Sequence, residues 1–172
     1  PQNPAASRLD VANEIAPEIV DAVLKDPKAG DRVRLGVVSF SGETQVELHS
    51  CDIRDLKPGD IPKVAARTTG TSYASLFLTL RHQIESDIDT LRGQGFKIGR
   101  PTVFMITDGE PNDPKDSDWQ DAFGILTDTN FKAHPNVVPY GVGEATHAVL
   151  DQVAQYKASL DGEPSSQHVT GF

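Results

Sequence analysis

The stretch Pro101-Thr-Val-Phe-Met-Ile-Thr-Asp-Gly-Glu-Pro-Asn-Asp113 joins an apolar run to a group of oxygen-bearing side chains. Its segment Thr102 to Ile106 is apolar and β-branched without alternation, which predicts a parallel strand covered on both faces. Asp108 and Gly109 end that strand. Ligands of open α/β sheets bind just beyond the carboxyl ends of strands, and a carboxylate there suits Mg²⁺, Mn²⁺ or Ca²⁺. The stretch therefore predicts an α/β fold with a site at Asp108.

Size and charge limit the classes of function. The 172 residues fit one domain, and we expect all of 1–172 to belong to it. The formal net charge of -9 argues against nucleic acid and anionic membranes as partners, because both require clustered basic residues. Cys51 is the single cysteine, which excludes an internal disulfide and a cysteine zinc cage. Since neither a membrane-span pattern nor a signal-peptide pattern is present, we expect a cytoplasmic protein.

The periodicity of apolar residues predicts the order of helices and strands. Helices alternate with parallel-type strands, which is typical of a doubly wound, mostly parallel sheet with helices on both faces. We expect helices at 7–25, 72–91, 119–128 and 145–160, and strands at 33–40, 44–48, 102–106, 137–142 and 169–172.

Several details accompany this assignment. The strand from Val33 to Phe40 is expected to be buried and to form an antiparallel hairpin with the next strand through Ser41-Gly-Glu43. Residues 49–69 are expected to form a loop with one short helical turn. Asp116-Ser-Asp118 are candidate helix caps, and Pro139 is expected near an edge or a bulge, because proline lacks a ladder N–H.

Two loops carry the oxygen-bearing side chains. The first is Thr68-Thr-Gly-Thr-Ser-Tyr73, which opens a long helix, and the second is Thr107 to Asp113. Taken alone, hydroxyls before a helix are typical caps, and Asp-Gly after a strand is a typical turn. The order and spacing of the two loops on one chain indicate a binding site more specifically than either loop does alone.

Four stretches together carry a family resemblance. Arg32 to Val46 reads RVRLGVVSFSGETQV, Gly70 to Leu76 reads GTSYASL, Arg100 to Asp113 reads RPTVFMITDGEPND, and Tyr140 to Glu144 reads YGVGE. These stretches resemble the von Willebrand factor A domain, and most closely its bacterial TerY-like branch, which is associated with tellurite resistance. The resemblance extends from Ser7 to Gly171.

The resemblance implies a metal-ion-dependent adhesion site. In the family this site combines an Asp-x-Ser-x-Ser motif after the first strand with a threonine and an aspartate from two later loops. By similarity, Thr71 and Asp108 are the metal ligands, with Mg²⁺ as the expected cation and Mn²⁺ or Ca²⁺ as alternatives. Tyr73, Glu110 and Asn112 are expected on the same rim as partner contacts.

The Asp-x-Ser-x-Ser motif is missing from the sequence. Neither the stretch at Asp10 nor the one at Ser39 supplies it. The family's first strand is central, so a sheet without it would expose two hydrogen-bonding edges. We therefore expect an incomplete domain, with the first strand upstream of Pro1 or donated by another chain, and with the family's closing helix beyond Phe172.

Three functions are compatible with these residues. The first is a non-enzymatic, divalent-metal-dependent module that binds a partner's Asp or Glu carboxylate. The resemblance implies that it is a scaffold in bacterial stress or tellurite-resistance signalling, with kinase and phosphatase partners. The second is a metal-assisted phosphoryl-transfer or hydrolytic enzyme that uses Asp108 and, as a phosphate clamp, Lys115. The third is a structural domain with a degenerate metal site.

Overall fold

A computed structural model describes residues 8–26, 32–57, 59–65, 68–142, 145–154 and 159–160. These residues form a mixed α/β structure. The chain divides into two compact units, with the boundary between Thr69 and Gly70. Within the described ranges, no helix is long and apolar enough to cross a membrane. The expectation of one domain over 1–172 remains a prediction.

The first unit contains one helix and one hairpin. Helix α1 spans Arg8–Leu24, with Pro17 inside it. Strand β1 spans Arg34–Phe40, strand β2 spans Thr44–Asp52, and a 3-10 helix follows at Ile53–Asp55. The strands are antiparallel, as predicted, and the Ser41 N–H donates to the Glu43 carbonyl oxygen at 2.8 Å to close the turn.

Two predictions about this hairpin require correction. Strand β2 is longer than expected, because Leu35 pairs with Cys51 and Arg34 with Asp52, so residues 49–52 belong to the sheet. Strand β1 is half-buried or exposed along its length and is not the buried strand that its apolar sequence predicts. The buried core of this unit lies instead among Val20, Ile53 and Ile61.

The second unit contains a parallel sheet and three helices among its described residues. Its elements are α2 (Tyr73–Gly93), β3 (Thr102–Thr107), α3 (Asp116–Thr127), β4 (Asn136–Gly141), α4 (His147–Val153) and β5 (Ser159–Leu160). The sheet order is β3-β4-β5, and both pairings are parallel. This confirms the parallel strand at 102–106, whereas the larger doubly wound sheet remains a prediction.

An aromatic cluster joins α2 to α3 beneath the loop that follows β3. The ring centroids of Tyr73 and Phe77 lie 5.8 Å apart, and those of Tyr73 and Trp119 lie 6.0 Å apart, both in edge-to-face geometry. Tyr73, Phe77 and Trp119 are all buried. Edge-to-face rings of this kind add to the stabilisation that comes from burial alone. The start of α2 is therefore firmly packed.

Among the described residues of the second unit, the two faces of strand β3 are covered to different extents. Met105 is 2% exposed, but its neighbour Phe104 is 54% exposed. The prediction of a strand buried on both faces is therefore wrong for this unit. A run of apolar residues shows that a strand can be buried, but it does not show which face receives a covering layer.

The beginning of α3 also differs from expectation. The residue at its N-cap is Lys115, without a capping side-chain bond, so Asp116 and Asp118 lie inside the first turn. They are not the caps that the sequence predicted. Their carboxylates still lie near the positive end of the helix dipole, which is a favourable position.

The last predicted helix is shorter than expected. Helix α4 ends at Val153, and Ser159–Leu160 pairs in parallel with Tyr140 and Gly141 as strand β5. The apolar periodicity from Ala145 to Leu160 predicts one continuous helix, but its last two residues form a strand. The predicted strand at 169–172 lies outside the described residues.

Pro139 lies in the middle strand of the sheet, in register with Met105, and not at an edge or a bulge. The N–H groups of Asn136 and Val142 donate toward β3, to Pro101 and Thr107. In a parallel ladder successive residues point to alternate sides, so the nitrogen of Pro139 faces away from β3. The described pairing of β4 with β5 begins at Tyr140, after Pro139. Pro139 therefore interrupts no described hydrogen bond between β4 and either neighbouring strand.

Candidate functional site

The loop after β3 is bonded to the segment that begins α2. The Asn112 N–H donates to the Thr71 carbonyl oxygen at 2.9 Å, and the Thr71 N–H donates to Asn112 Oδ1 at 2.6 Å. Gly70 precedes this pair with a φ of 98°, and a Cβ there would lie 3.2 Å from Asn112 Oδ1. Glycine suits this position because it accepts a positive φ and leaves room for the amide. We call this reciprocal pair the Thr71–Asn112 clamp.

Asp113 caps α2 from across the sequence. Its carboxylate accepts from the Ser72 hydroxyl at 2.7 Å, the Tyr73 N–H at 2.9 Å and the Ala74 N–H at 3.3 Å. Ser72 is itself the N-cap, because its Oγ accepts from the Ser75 N–H at 3.2 Å. A carboxylate at a helix N-terminus satisfies unpaired N–H groups and complements the helix dipole. The hydroxyl cap is thus confirmed for Ser72.

Sequence reasoning missed the role of Asp113. Together with Asp116, Asp118 and Asp121 it has the composition of a solvated acidic loop, and those three residues are indeed exposed. Asp113 is only half-buried, yet three donors surround it. Its partners lie about 40 positions earlier in the chain, so no local spacing signals the contact.

Tyr73 has a structural role beneath the same loop. Its side chain is 0% exposed, and its hydroxyl donates to the Gly109 carbonyl oxygen at 2.9 Å and lies 3.2 Å from Thr107 Oγ1. Burial raises the pKa of the Tyr73 phenol, the Thr107 hydrogen bond opposes this, and the nearby Asp108 and other carboxylates add to it. The prediction that Tyr73 contacts a partner is therefore corrected: the buried, neutral phenol supports the turn from below.

The remaining predicted site residues lie around the tip of the loop. Asp108 directly follows β3 and is exposed, as are Glu110 and Asn112. Glu110 accepts a hydrogen bond from the Thr146 hydroxyl at 3.0 Å. Thr71 is half-buried just before the N-cap of α2. The Thr71–Asn112 clamp thus links the segment that carries Thr71 to the loop that carries Asp108.

Thr71 and Asp108 carry oxygen atoms of the kind that binds a hard divalent cation, but two residues are too few to complete its coordination shell. Hydroxyl and carboxylate oxygens are suitable ligands, but Mg²⁺ takes about six of them. The Asp113 carboxylate is already engaged by three donors. In the part of the chain that the structure describes, no three His, Cys, Asp or Glu side chains form a metal-binding group. Thr71 and Asp108 can therefore supply only part of a coordination shell.

Solved structures provide the comparison with known proteins. Neither a protein-family model nor a curated protein matches the chain. Proximal thread matrix protein 1 from the mussel byssus is similar at 22% identity and a TM-score of 0.64, covering 90% of this chain and 38% of that one. A second crystal form gives 21% identity and 0.63, covering 89% and 38%. A third structure of that protein, with a zinc-occupied MIDAS motif, gives 23% identity and 0.60, covering 87% and 37%.

This similarity shows the fold. MIDAS denotes the metal-ion-dependent adhesion site, and the likeness supports a von Willebrand factor A-like α/β fold for this chain. The chain spans less than two fifths of the length of the mussel structures. The TerY-like branch is not addressed by these neighbours and remains a resemblance of sequence.

Proposed function

We propose that this chain is a divalent-cation-dependent protein-binding module in which Thr71 and Asp108 are two of the cation ligands. The observation that carries the proposal is the Thr71–Asn112 clamp, which bonds the start of α2 to the loop after β3. It links a hydroxyl and a carboxylate on neighbouring segments at the carboxyl end of a parallel strand. Binding sites of α/β sheets are typically found at this end.

The cation would be the feature that a partner recognises. A divalent ion held by few carboxylates keeps residual positive charge, so an Asp or Glu side chain of a partner can complete its shell. We propose Mg²⁺ as the resident ion, with Mn²⁺ and Ca²⁺ as alternatives. The zinc-occupied motif of the mussel protein supports a divalent cation in general. The remaining oxygens would come from water and the partner.

Residues around the ligands have supporting roles in this proposal. Asp113 and Tyr73 hold the helix start and the Gly109 turn through their hydrogen bonds. Glu110 and Asn112, both exposed, are the proposed partner contacts. The chain's own residues thus orient the loop, while the cation supplies the attraction for a carboxylate.

The biological setting is proposed from sequence resemblance alone. The likeness to the TerY-like branch supports a cytoplasmic bacterial scaffold in stress or tellurite-resistance signalling, with kinase and phosphatase partners. A single domain over residues 1–172 is part of the same proposal. Cation binding is its first testable step.

Calorimetric titration with Mg²⁺, Mn²⁺ and Zn²⁺ tests the proposed ligands. We expect Thr71→Ala and Asp108→Ala each to weaken cation binding by about ten-fold or more, since even residues that only orient ligands have effects of this size. Exposed Thr129→Ala and Asp121→Ala are matched controls that should bind as the wild-type protein does. Equal affinities in all five proteins would refute the assignment of Thr71 and Asp108.

A second measurement tests carboxylate recognition. Immobilised poly-glutamate should retain the protein in Mn²⁺ and release it in EDTA, whereas poly-glutamine should not retain it. The net charge of -9 repels an acidic polymer, so retention would report a bridging cation. Retention that persists in EDTA would contradict the proposed function.

A further inference from the structure

A groove lies between the second half of α2 and the segment that leads into β4. Its volume is about 260 Å³, which is below the roughly 300 Å³ at which sites for drug-sized molecules begin. The groove therefore has room for about one residue of a larger ligand. One wall, residues 130–133, precedes β4, whereas Asp108 follows β3. Because β3 and β4 are parallel, the groove and Asp108 lie at opposite ends of these strands.

Hydrogen bonds hold the wall that residues 130–133 form. Asp128 Oδ1 accepts from the Asn130 N–H at 2.8 Å and from Asn130 Nδ2 at 3.0 Å. The Phe131 N–H donates to the Asp128 carbonyl oxygen at 2.9 Å, and the Phe131 carbonyl oxygen accepts from the His134 N–H at 2.8 Å. The opposite wall is the helix α2. A groove whose walls are positioned in advance loses little side-chain entropy when a ligand binds.

The floor of the groove is apolar. Ile88 of α2 packs with Phe131 and Ala133 in one buried cluster, and all three residues line the groove. Ile84 and Ile98 support this cluster from its sides. An apolar floor favours a ligand that brings an apolar group to it.

Arg81 presents a guanidinium of fixed orientation at the groove. Its central carbon lies 3.4 Å from the centroid of the Phe131 ring, and its buried Nη1 lies 2.9 Å from Glu85 Oε2. Nε and Nη2 keep accessible surface and have no acceptor in the part of the chain that the structure describes. The ring fixes the plane of the guanidinium, so Nε and Nη2 form a ready fork for the two oxygens of a carboxylate.

The charges around the groove favour a monoanion. Arg81, Arg92 and Lys132 supply three cations, against the two carboxylates of Glu85 and Asp89. Glu85 pairs with Arg81, whereas neither Arg92 nor Lys132 has an ion pair with another described residue. The local excess of positive charge is opposite in sign to the net charge of -9 of the whole chain. An anionic group is therefore attracted to this groove more than to the surrounding acidic surface.

We infer that this groove binds the carboxyl terminus of a partner peptide whose last side chain is apolar. The terminal carboxylate accepts from Nε and Nη2 of Arg81, and the last side chain lies against the floor at Ile88 and Phe131. The exposed amide of Asn130 at the rim bonds the preceding peptide group, which a free fatty acid lacks. The inference goes beyond the proposed function and does not depend on it.

NMR titration of the ¹⁵N-labelled full chain in EDTA tests the inference. The probe is the peptide Gly-Ser-Gly-Ser-Leu, and we expect a saturable shift of the amide signals of residues 130–133. The same peptide with an amidated terminus lacks the carboxylate, and Gly-Ser-Gly-Ser-Gly lacks the apolar side chain. Each should bind about ten-fold more weakly or not at all, since each lacks one of the two recognised groups. Octanoate, an apolar acid without peptide groups, should also bind more weakly than the probe.

Variants of the three cations identify the binding residues. Arg81→Lys keeps the charge but loses the planar fork, so it should weaken binding by about ten-fold. Arg92→Gln and Lys132→Gln should each weaken it by about two- to five-fold, the size of one exposed ion pair. Lys115→Gln removes an exposed cation outside the groove and should bind the probe as the wild-type protein does. Asp108→Ala should do the same, because the titration contains no divalent cation.

Three results would overturn the inference. The first is no saturable shift with the probe, or equal affinity for its amidated form. The second is tighter binding of octanoate than of the probe, which would make the groove a site for free apolar acids. The third is wild-type affinity in both Arg92→Gln and Lys132→Gln. These two residues are exposed, so their variants carry the test even if Arg81→Lys unfolds. Because the titration excludes divalent cations, failure here leaves the cation proposal intact, and failure of the cation proposal leaves this result intact.

Discussion

At the scale of single residues, Asp113 contributes most to the shape of the candidate site. One carboxylate satisfies the Ser72 hydroxyl and two backbone N–H groups at the start of α2. Asn112 beside it bonds Thr71 in both directions. Two adjacent loop residues therefore fix the helix start from which Thr71 projects.

Asp113→Ala should lower the free energy of unfolding by about 1–3 kcal/mol, because it removes a helix cap and leaves N–H groups without an acceptor. Urea unfolding followed by circular dichroism measures the change. Asp121→Ala, an exposed substitution on α3, should stay within about 0.5 kcal/mol of the wild-type protein. If the two variants are equally stable, the capping role is wrong.

The sequence predicts a contact of this site only where the two contacting residues lie close together along the chain. Ser72 as a cap follows from a local rule, since its bond reaches only three residues ahead to Ser75. Asp113 acts across 41 positions on Ser72, which no local pattern encodes. The burial of Tyr73 was missed for the same reason, because it results from tertiary packing against Trp119.

At the scale of elements, the two faces of strand β3 are covered unequally by the described residues of the second unit. Met105 is 2% exposed and Phe104 is 54% exposed, although both are large and apolar. Alternate residues of a strand point to opposite faces, so these two neighbours report the two sides of the sheet. Their contributions to stability should differ accordingly.

Met105→Ala should reduce the free energy of unfolding by about 2–5 kcal/mol, because it leaves a cavity in the core. Phe104→Ala, one position away, should cost about 1 kcal/mol or less, since most of the lost contact is with solvent. Chemical denaturation of both variants checks the contrast. A larger loss for Phe104→Ala would mean that a layer covers this face in solution.

Element boundaries show where local pattern gives way to tertiary pairing. The starts of α2 and β3 were predicted to within a residue, because capping and apolar composition are local signals. The end of α4 was not, because Ser159 and Leu160 continue a helical stripe yet pair with Tyr140 and Gly141. The competing strand pairing is a non-local interaction that overrides helical periodicity.

At the scale of the whole molecule, the chain carries one natural reporter in each compact unit. Cys51 is the single cysteine and lies half-buried in β2 of the first unit, where its thiol is 3.7 Å from the Leu35 carbonyl oxygen. Trp119 is the single tryptophan and is buried in α3 of the second unit. The two units can therefore be followed separately without labels.

If residues 1–172 form one cooperative domain, both reporters should change at the same urea concentration. Thiol reactivity of Cys51 and fluorescence of Trp119 measure the two transitions, and coincidence of probes is the usual test of two-state unfolding. Distinct midpoints would show that the units on either side of the Thr69–Gly70 boundary unfold independently.

The Thr71–Asn112 clamp also determines what could be transplanted into another protein. The loop after β3 holds its shape through bonds to residues some 40 positions earlier, and Gly70 leaves the space that Asn112 fills. A graft of residues 107–113 alone would leave Asp113 and Asn112 without their partners. A functional graft must carry two pieces of chain, 70–75 and 107–113, on a scaffold that already brings a helix start beside a strand end.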